Sequence, residues 1–250
     1  MLAGSTGKHI ASAGRFRSGR ALGPQFSCGA GAANTEWTTE MDTETPLFPL
    51  RSVLFPGGHL PLRIFEPRYL DMVQRCHAQS LPFGVVALTE GDEVRQREGA
   101  GFKAEAFHSV GTLARIEHFE HDHPGLIHIR ARGTQRFRLL ESRCLSHGLW
   151  VGKLELLPDD AAVPVPDDLK LASLQLQDLL SGWAERVAAE NLTIQPPHHW
   201  DDAGWLANRW AELLPMPAEE RQRLMALDNP LLRLELVVDR LDAIGGSAGR

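Results

Sequence analysis

The sequence predicts an α+β fold: a β-rich region with one embedded helix near its beginning, followed by an α-helical bundle. Three observations carry this expectation. From Leu47 to about Leu157 the apolar residues come in short runs separated by turn residues, the pattern of an antiparallel sheet or barrel. Inside that region Tyr69, Met72, Val73 and Cys76 recur at helical spacing. After "PDDAAVPVP", Pro158–Pro166, helical spacing takes over.

The elements are justified in chain order. Candidate strands are Leu47–Leu50, Leu60–Phe65, Phe83–Leu88, Val110–His118, Leu126–Arg132, Arg136–Glu141 and Trp150–Leu156. Gly57-Gly58, Gly99-Ala100-Gly101, Pro124-Gly125, Gly133 and Gly148 bound them as turn signals. Pro46, Pro49, Pro56 and Pro61 lack a backbone donor, which confines them to edges, bulges or turns. Pro67 suits the first position of the embedded helix.

Beyond the proline-rich linker at 158–166, Leu169, Ala172, Leu176, Leu179, Leu180, Trp183 and Val187 form one apolar stripe, capped by Asp167 or Asp168. A second stripe, after Asp201-Asp202, is Ala203, Leu206, Trp210, Leu213 and Leu214. A third helix begins at Pro217, with Glu219 and Glu220 where the helix dipole favours negative charge. The last has Asn229 as cap, Pro230 first, a stripe of Leu231, Leu234, Val238 and Leu241, and Gly245-Gly246 as its stop. The domain reading is therefore a tail or mis-assigned start at 1–40, a β-rich unit at 46–157 and a bundle at 167–245. Trp183, Trp205 and Trp210 read as core of that bundle.

Composition narrows the function. Against 32 acidic residues the chain has 26 Lys and Arg, a net charge of −6. Residues 1–40 carry Lys8, Arg15, Arg17 and Arg20 against Glu36 and Glu40, so the remainder holds −6 − 2 = −8. An acidic total argues against a general nucleic-acid binder, which needs concentrated Lys and Arg. No apolar run approaches the ~20 residues of a membrane-spanning helix. Cys28, Cys76 and Cys144 form no C-x-x-C pair, so neither a zinc site nor a disulfide framework is expected, and the cytoplasm is the simplest compartment. The string Gly4–His9 lacks the spacing of a phosphate loop.

Several blocks, agreeing in order and spacing, resemble the N-terminal domain of Lon proteases, especially stand-alone bacterial members. They are "PLFPLRSVLFPGGHLPLRIFEPRYLDMV" at 46–73, "FGVVAL" at 83–88, "VGTLARI" at 110–116, "RGTQRFRLL" at 132–140 and "LPMPAEERQRLMALDNPLLRLELV" at 214–237. The resemblance implies a PUA-like pseudo-barrel followed by the helical bundle. It also implies binding of unfolded or tagged protein clients, and a connection with a Lon-type protease. The chain ends at Arg250 without the ATPase and Ser-Lys peptidase modules of Lon, so the expectation is a non-catalytic module that needs no cofactor.

Within the opening block, Arg63, Phe65, Glu66, Arg68 and Tyr69 surround the strand-to-helix junction. Glu66 at a helix start can accept backbone N–H groups and pair with either arginine. This group reads as a structural clamp, or alternatively as an anchor for a peptide. Arg130 and Arg132, then Arg136 and Arg138, alternate at period two across the Gly133-Thr134 turn region, which lets each pair point to one sheet face as an alternative RNA-binding patch. Only Phe137 accompanies them, and alternation turns it to the opposite face, which leaves the patch without aromatics for stacking. His118, His121, His123 and His128 lie among acids around Pro124-Gly125, and read as a polar hairpin tip in preference to a metal site.

Overall fold

The computed structural model describes residues 44–93, 97–98, 101–102, 105–186 and 194–247. The tail at 1–40, with its Gly4–His9 string, and Val187 lie outside the described residues. The first half contains β1 (Thr45–Leu50), β2 (His59–Ile64), α1 (Pro67–Gln79) and β3 (Phe83–Glu90). Three two-residue strands follow, β4 (Arg97–Glu98), β5 (Gly101–Phe102) and β6 (Ala106–Phe107). The long strands β7 (Val110–His123) and β8 (Leu126–Cys144) and then β9 (Trp150–Leu156) complete this half. After them come α2 (Lys170–Ala184), α3 (Ala203–Leu213), α4 (Ala218–Ala226) and α5 (Pro230–Ser247).

The sheet closes on itself. β1 pairs with β9, β9 with β8, β8 with β7, β7 with β3, and β3 returns to β1. One departure from the antiparallel expectation is the parallel pair of β1 and β3, reached by a crossover that contains α1. The prolines of β1 are explained by this closure. Pro46 lies where β1 pairs only with β9, opposite Val151, and Pro49 where it pairs only with β3, opposite Val86. Each missing donor thus falls in a stretch with one neighbour.

β8 differs from expectation more sharply. The two strands predicted on either side of Gly133 are a single strand of 19 residues. Gly133 is not a turn but a point of close approach. Its N–H donates to Gly58 O and its carbonyl accepts from Gly57 N, both at 2.8 Å. A Cβ there would sit 2.3 Å from Phe55 O, so only glycine lets the Phe55–Gly58 turn lie against the strand. Gly57, at φ +76, supplies the left-handed residue of that turn, closed by Gly58 N donating to Phe55 O.

Inside the ring, Leu62, Ile64, Phe83, Ile127 and Ile129 pack with Tyr69, Met72 and Val73 of α1. Leu47, Val86, Leu113 and Phe137 make a second cluster. The helices share a third, built on Leu176, Leu206, Trp210, Leu234 and Val237, and the turn between β1 and β2 contributes Phe55 to it. Trp210 is buried, with its indole N–H donating to Ala172 O at 2.9 Å, while Trp183 and Trp205 flank the same core.

Helix caps follow the sequence in part. Asp202 caps α3 by accepting from Trp205 N at 2.6 Å, and Asn229 accepts from Leu231 N and Leu232 N at 3.0 and 3.1 Å. Asp167 and Asp168 do not cap α2. They lie in a single 3₁₀ turn before it, and the Asp167 carboxylate pairs with Lys170 Nζ at 2.5 Å. Gly245-Gly246 does not stop α5, which continues to Ser247.

The segment 158–166 is fastened on both sides. Val165 N donates to Asp201 O and Ala203 N to Val163 O, beside an isolated bridge between Pro164 and Asp202. Asp160 accepts from two buried arginines, Arg136 of β8 at 3.1 Å and Arg233 of α5 at 2.5 Å. Arg233, fully buried, also donates to Asn208 Oδ1 of α3 and Leu224 O of α4, both at 3.0 Å. Arg136 donates to Met225 O and Leu227 O at 3.2 and 2.9 Å. One carboxylate therefore joins the sheet to three helices.

Removing that carboxylate leaves buried Arg233 without a charged partner and Arg136 with only the exposed Asp228, 3.2 Å away. Asp160→Ala is expected to lower stability by about 3–5 kcal/mol, read as a shift of the urea midpoint. Asp160→Asn, which keeps the acceptor oxygen, is expected to cost less.

Candidate protein-binding surface

The opening motif divides into an inner and an outer part. β2 alternates, turning Leu62 and Ile64 inward and Arg63 outward into solvent. Phe65 follows, 43% exposed. Pro67 then starts α1 and the first helical turn drives Arg68 and Tyr69 into the protein, 6% and 2% exposed. Arg68 Nη1 donates to Gly148 O at 2.9 Å and Nε to Glu66 Oε2 at 3.2 Å, and Nη2 lies 3.5 Å from Glu105 Oε1. Its guanidinium rests 4.5 Å from the Tyr69 ring centre, and Tyr69 stacks on Phe48 at 4.1 Å. Glu105 also accepts from the Trp150 indole at 2.5 Å. Glu66 occupies the cap position of α1 but its carboxylate makes no capping bond there, because it is turned to Arg68. The structure thus brings Glu66, Arg68 and Tyr69 together as an internal cluster. Arg63 does not join them.

The four strand arginines do not form one surface. Arg136 is buried under the helices, held as described by Asp160, Met225 and Leu227. It lies on the outer side of the ring, as period two requires, but α4 and the loop before α5 cover that side. Arg132 faces Glu117 at 3.9 Å and Arg138 faces Glu155 at 3.5 Å, so both stand beside an acid. Arg143 is bound by Glu44, whose carboxyl is held below the usual range by that hydrogen bond.

The histidine-rich tip extends from the ring as the β7–β8 hairpin, with Gly125 at φ +84. Imidazoles and carboxylates pair loosely there, His128 with Asp122 at 3.7 Å and His118 with Glu120 at 3.8 Å. Phe119 stacks on His77 of α1 at 4.4 Å, fixing the hairpin against that helix. Among the described residues no group of three His, Cys, Asp or Glu stands in an arrangement that could hold a metal ion. Cys76 is buried and its thiol is pushed up to about 11 by that burial, which removes it as a nucleophile at neutral pH.

A second charged join, absent from the sequence reading, links the Phe55–Gly58 turn to α3. Arg209, 1% exposed, donates through Nη2 to Pro56 O at 2.8 Å and to Glu212 Oε1 at 2.9 Å. The Glu212 carboxylate lies so close to Gly58 that a Cβ there would fall 2.1 Å from Oε1. Desolvation raises the Glu212 carboxyl to about 7, against the opposing charges of Arg209 and Arg221.

Charged residues engaged in these joins leave the outer helix faces to leucine. Leu171 and Leu174 of α2 and Leu232 and Leu236 of α5 all stand well exposed. Single exposed apolar residues are ordinary, but pairs at i,i+3 and i,i+4 form local apolar steps on a helix. Among the described residues no helix is long and apolar enough to cross a membrane.

This β-rich sheet with several helices matches the fold of Lon N-terminal domains. The crystal structure of Lon N-terminal domain protein from Xanthomonas campestris matches it with a TM-score of 0.60 at 33% identity, covering 79% of this chain and 98% of that one. The N terminal domain of Mycobacterium avium complex Lon protease shares the fold at 14% identity and a TM-score of 0.50, covering 79% of this chain and 97% of that one. The chain belongs to the ATP-dependent protease La (LON) substrate-binding domain family, whose model matches residues 44–243.

Similar proteins include Lon protease 1 of Bdellovibrio bacteriovorus, 28% identical over 80% of this chain and 24% of that protein. Protein cereblon of Xenopus tropicalis is 31% identical over 53% of this chain and 27% of its own length. The chain thus spans about a quarter of the length of these curated relatives.

Glu212 gives the pH dependence a sign. With its folded pKa near 7 and an ordinary value of 4.5, the folded chain keeps a proton through this window that the unfolded chain has released. Its contribution is fully present below pH 4.5 and is lost as pH rises through 7, roughly 3 kcal/mol in all. Glu212→Gln removes this component. Urea titrations of both proteins from pH 4 to 8 are expected to show their stability difference drifting by that amount, and a constant difference would contradict the assignment.

Proposed function

We propose that this chain is a non-catalytic module that binds unfolded or tagged protein and peptide clients, acting as an adaptor or modulator of ATP-dependent proteolysis by a Lon-type protease. In this reading 46–157 is a PUA-like pseudo-barrel and 167–245 a helical bundle, joined through 158–166. Its setting is the cytoplasm. The observation that carries the reading is membership of a substrate-binding domain family over residues 44–243, on a frame whose helices leave paired leucines in solvent. Unfolded clients differ from folded ones by their accessible apolar side chains, and exposed leucines on a rigid frame match that chemistry.

The opening motif takes two roles here. Glu66, Arg68 and Tyr69 are the clamp that holds α1 to the ring. Arg63 and Phe65 are client contacts, a cation beside an aromatic ring at the foot of that clamp. RNA binding through Arg130, Arg132, Arg136 and Arg138 is not favoured, because Arg136 is enclosed and Arg132 and Arg138 face acids.

The test is a cellulose-bound array of overlapping peptides from unrelated proteins, probed with the full chain. Binding is expected at apolar-rich segments, and a blank array from folded protein would end the proposal. On the same array Arg63→Ala with Phe65→Ser is expected to weaken the signal several-fold without moving the thermal midpoint. Undiminished binding would remove Arg63 and Phe65 from the contact surface.

A further inference from the structure

α5 has two faces of opposite chemistry. At 100° per residue, Arg233, Leu234, Val237, Leu241 and Ile244 fall on one arc, directed into the helical core. The opposite arc holds Leu232, Leu236, Glu235, Asp239 and Asp242, all exposed. On the helical net Asp239 continues the line of Leu232 and Leu236, while Glu235 and Asp242 run along one flank. Three acids thus border an apolar step 41% and 43% exposed at its two leucines.

Several carboxylates of the helical half are engaged in ion pairs. Asp160 and Glu212 hold buried arginines, Asp167 holds Lys170, Glu219 holds Arg223 and Glu220 faces Arg240. No described residue forms an ion pair with Glu235, Asp239 or Asp242. The face therefore carries a charge of −3 beside exposed leucine, within residues 41–250 whose balance is already −8.

We propose that the outward face of α5 is a docking surface for basic, leucine-bearing polypeptide segments, cationic amphipathic stretches whose apolar residues meet Leu232 and Leu236 and whose Lys or Arg meet Glu235, Asp239 and Asp242. Charge complementarity selects this occupant. A partner segment that is only apolar would leave three carboxylates partly desolvated and unpaired, and an acidic one would be repelled. A second copy of this chain is disfavoured on the same ground, since twofold pairing of this face sets −3 against −3. The proposal rests on the protein-binding reading above and adds the class of segment to it.

The experiment uses the full chain and two fluorescein-labelled 18-residue peptides with leucines at i, i+3, i+4 and i+7, one filled with lysine and one with glutamate. Fluorescence anisotropy is expected to show the lysine peptide bound at least tenfold tighter, with affinity falling as salt rises. Glu235→Lys with Asp239→Lys is expected to reverse the preference. Leu232→Ser with Leu236→Ser is expected to weaken the lysine peptide tenfold. All four side chains are exposed, and circular dichroism checks that the variants keep their fold.

Equal affinity for the two peptides, or a preference that survives charge reversal, would overturn the proposal. Sedimentation of the same proteins closes the remaining alternative, because a mass that doubles in the wild type and not in the leucine variant would make the face an interface between copies and overturn it too. A reduced, carboxymethylated unfolded protein separates the two levels of the argument. If wild type and both α5 variants bind it equally, the α5 assignment falls and client binding stands. If it, the two peptides and the array all give no binding, client binding itself falls.

Discussion

The packing of sheet against helices depends on the carboxylate of Asp160 lying between two buried guanidinium groups. Arg136 leaves β8 on the outer side of the ring and Arg233 leaves α5 on its inner side, and neither reaches water. Two like charges at this separation repel, and the protein interior weakens that repulsion little. Asp160 accepts from both, while carbonyls of Leu224, Met225 and Leu227 take up further donors. A hydrophobic contact tolerates sliding. This arrangement does not, because each guanidinium plane admits few positions for its acceptors. The stretch 158–166 has the composition of a linker, but its acid serves as the pin of the joint.

A second joint on α3 uses the same chemistry. There Arg209 and Glu212 meet the Phe55–Gly58 turn, and Gly133 lets that turn approach β8. Two glycines and an arginine thus form one construction. Gly58 makes room for a carboxylate, Gly133 for a backbone oxygen, and Arg209 ties the turn's Pro56 carbonyl to the helix. Phe55, on the same turn, enters the helical core. α3 is consequently positioned from both sides of the chain, by Asn208 through Arg233 and by Arg209 through the turn.

Much of the secondary structure was legible because it depends on local pattern. Trp150–Leu156 emerged with the expected bounds, and Pro67, Asp202 and Asn229 mark helix starts by chemistry confined to a few residues. What was not legible depends on partners distant in sequence. Gly133 looks like a turn residue, since a glycine needed for close approach and one needed for a left-handed angle read alike. Arg136 looks like one of four surface arginines until α4 covers it. Arg233 carries a signal of its own: it falls on the buried arc of α5, next to the position of Val237, where a charge requires a partner. The candidate contact residues were less legible still, because burial of Arg68 depends on Gly148 and Glu105, 80 and 37 positions away in the chain.

The two joints also account for the chemistry left on the outside. Arg209 and Arg233 of the helices and Arg136 of β8 are drawn inward, and each takes positive charge away from the surface. The acids that hold them are fewer than the acids present, and the others stay in solvent, among them Glu235, Asp239 and Asp242 on α5. A protein that fastens itself with buried arginine therefore shows an acidic exterior there, beyond what its net charge of −6 suggests. Leucines set into such an exterior discourage pairing with another copy of the same face, which keeps an apolar surface available without inviting self-association. On the proposed client-binding reading, the interaction that fixes the fold and the surface that meets clients follow from one distribution of charge.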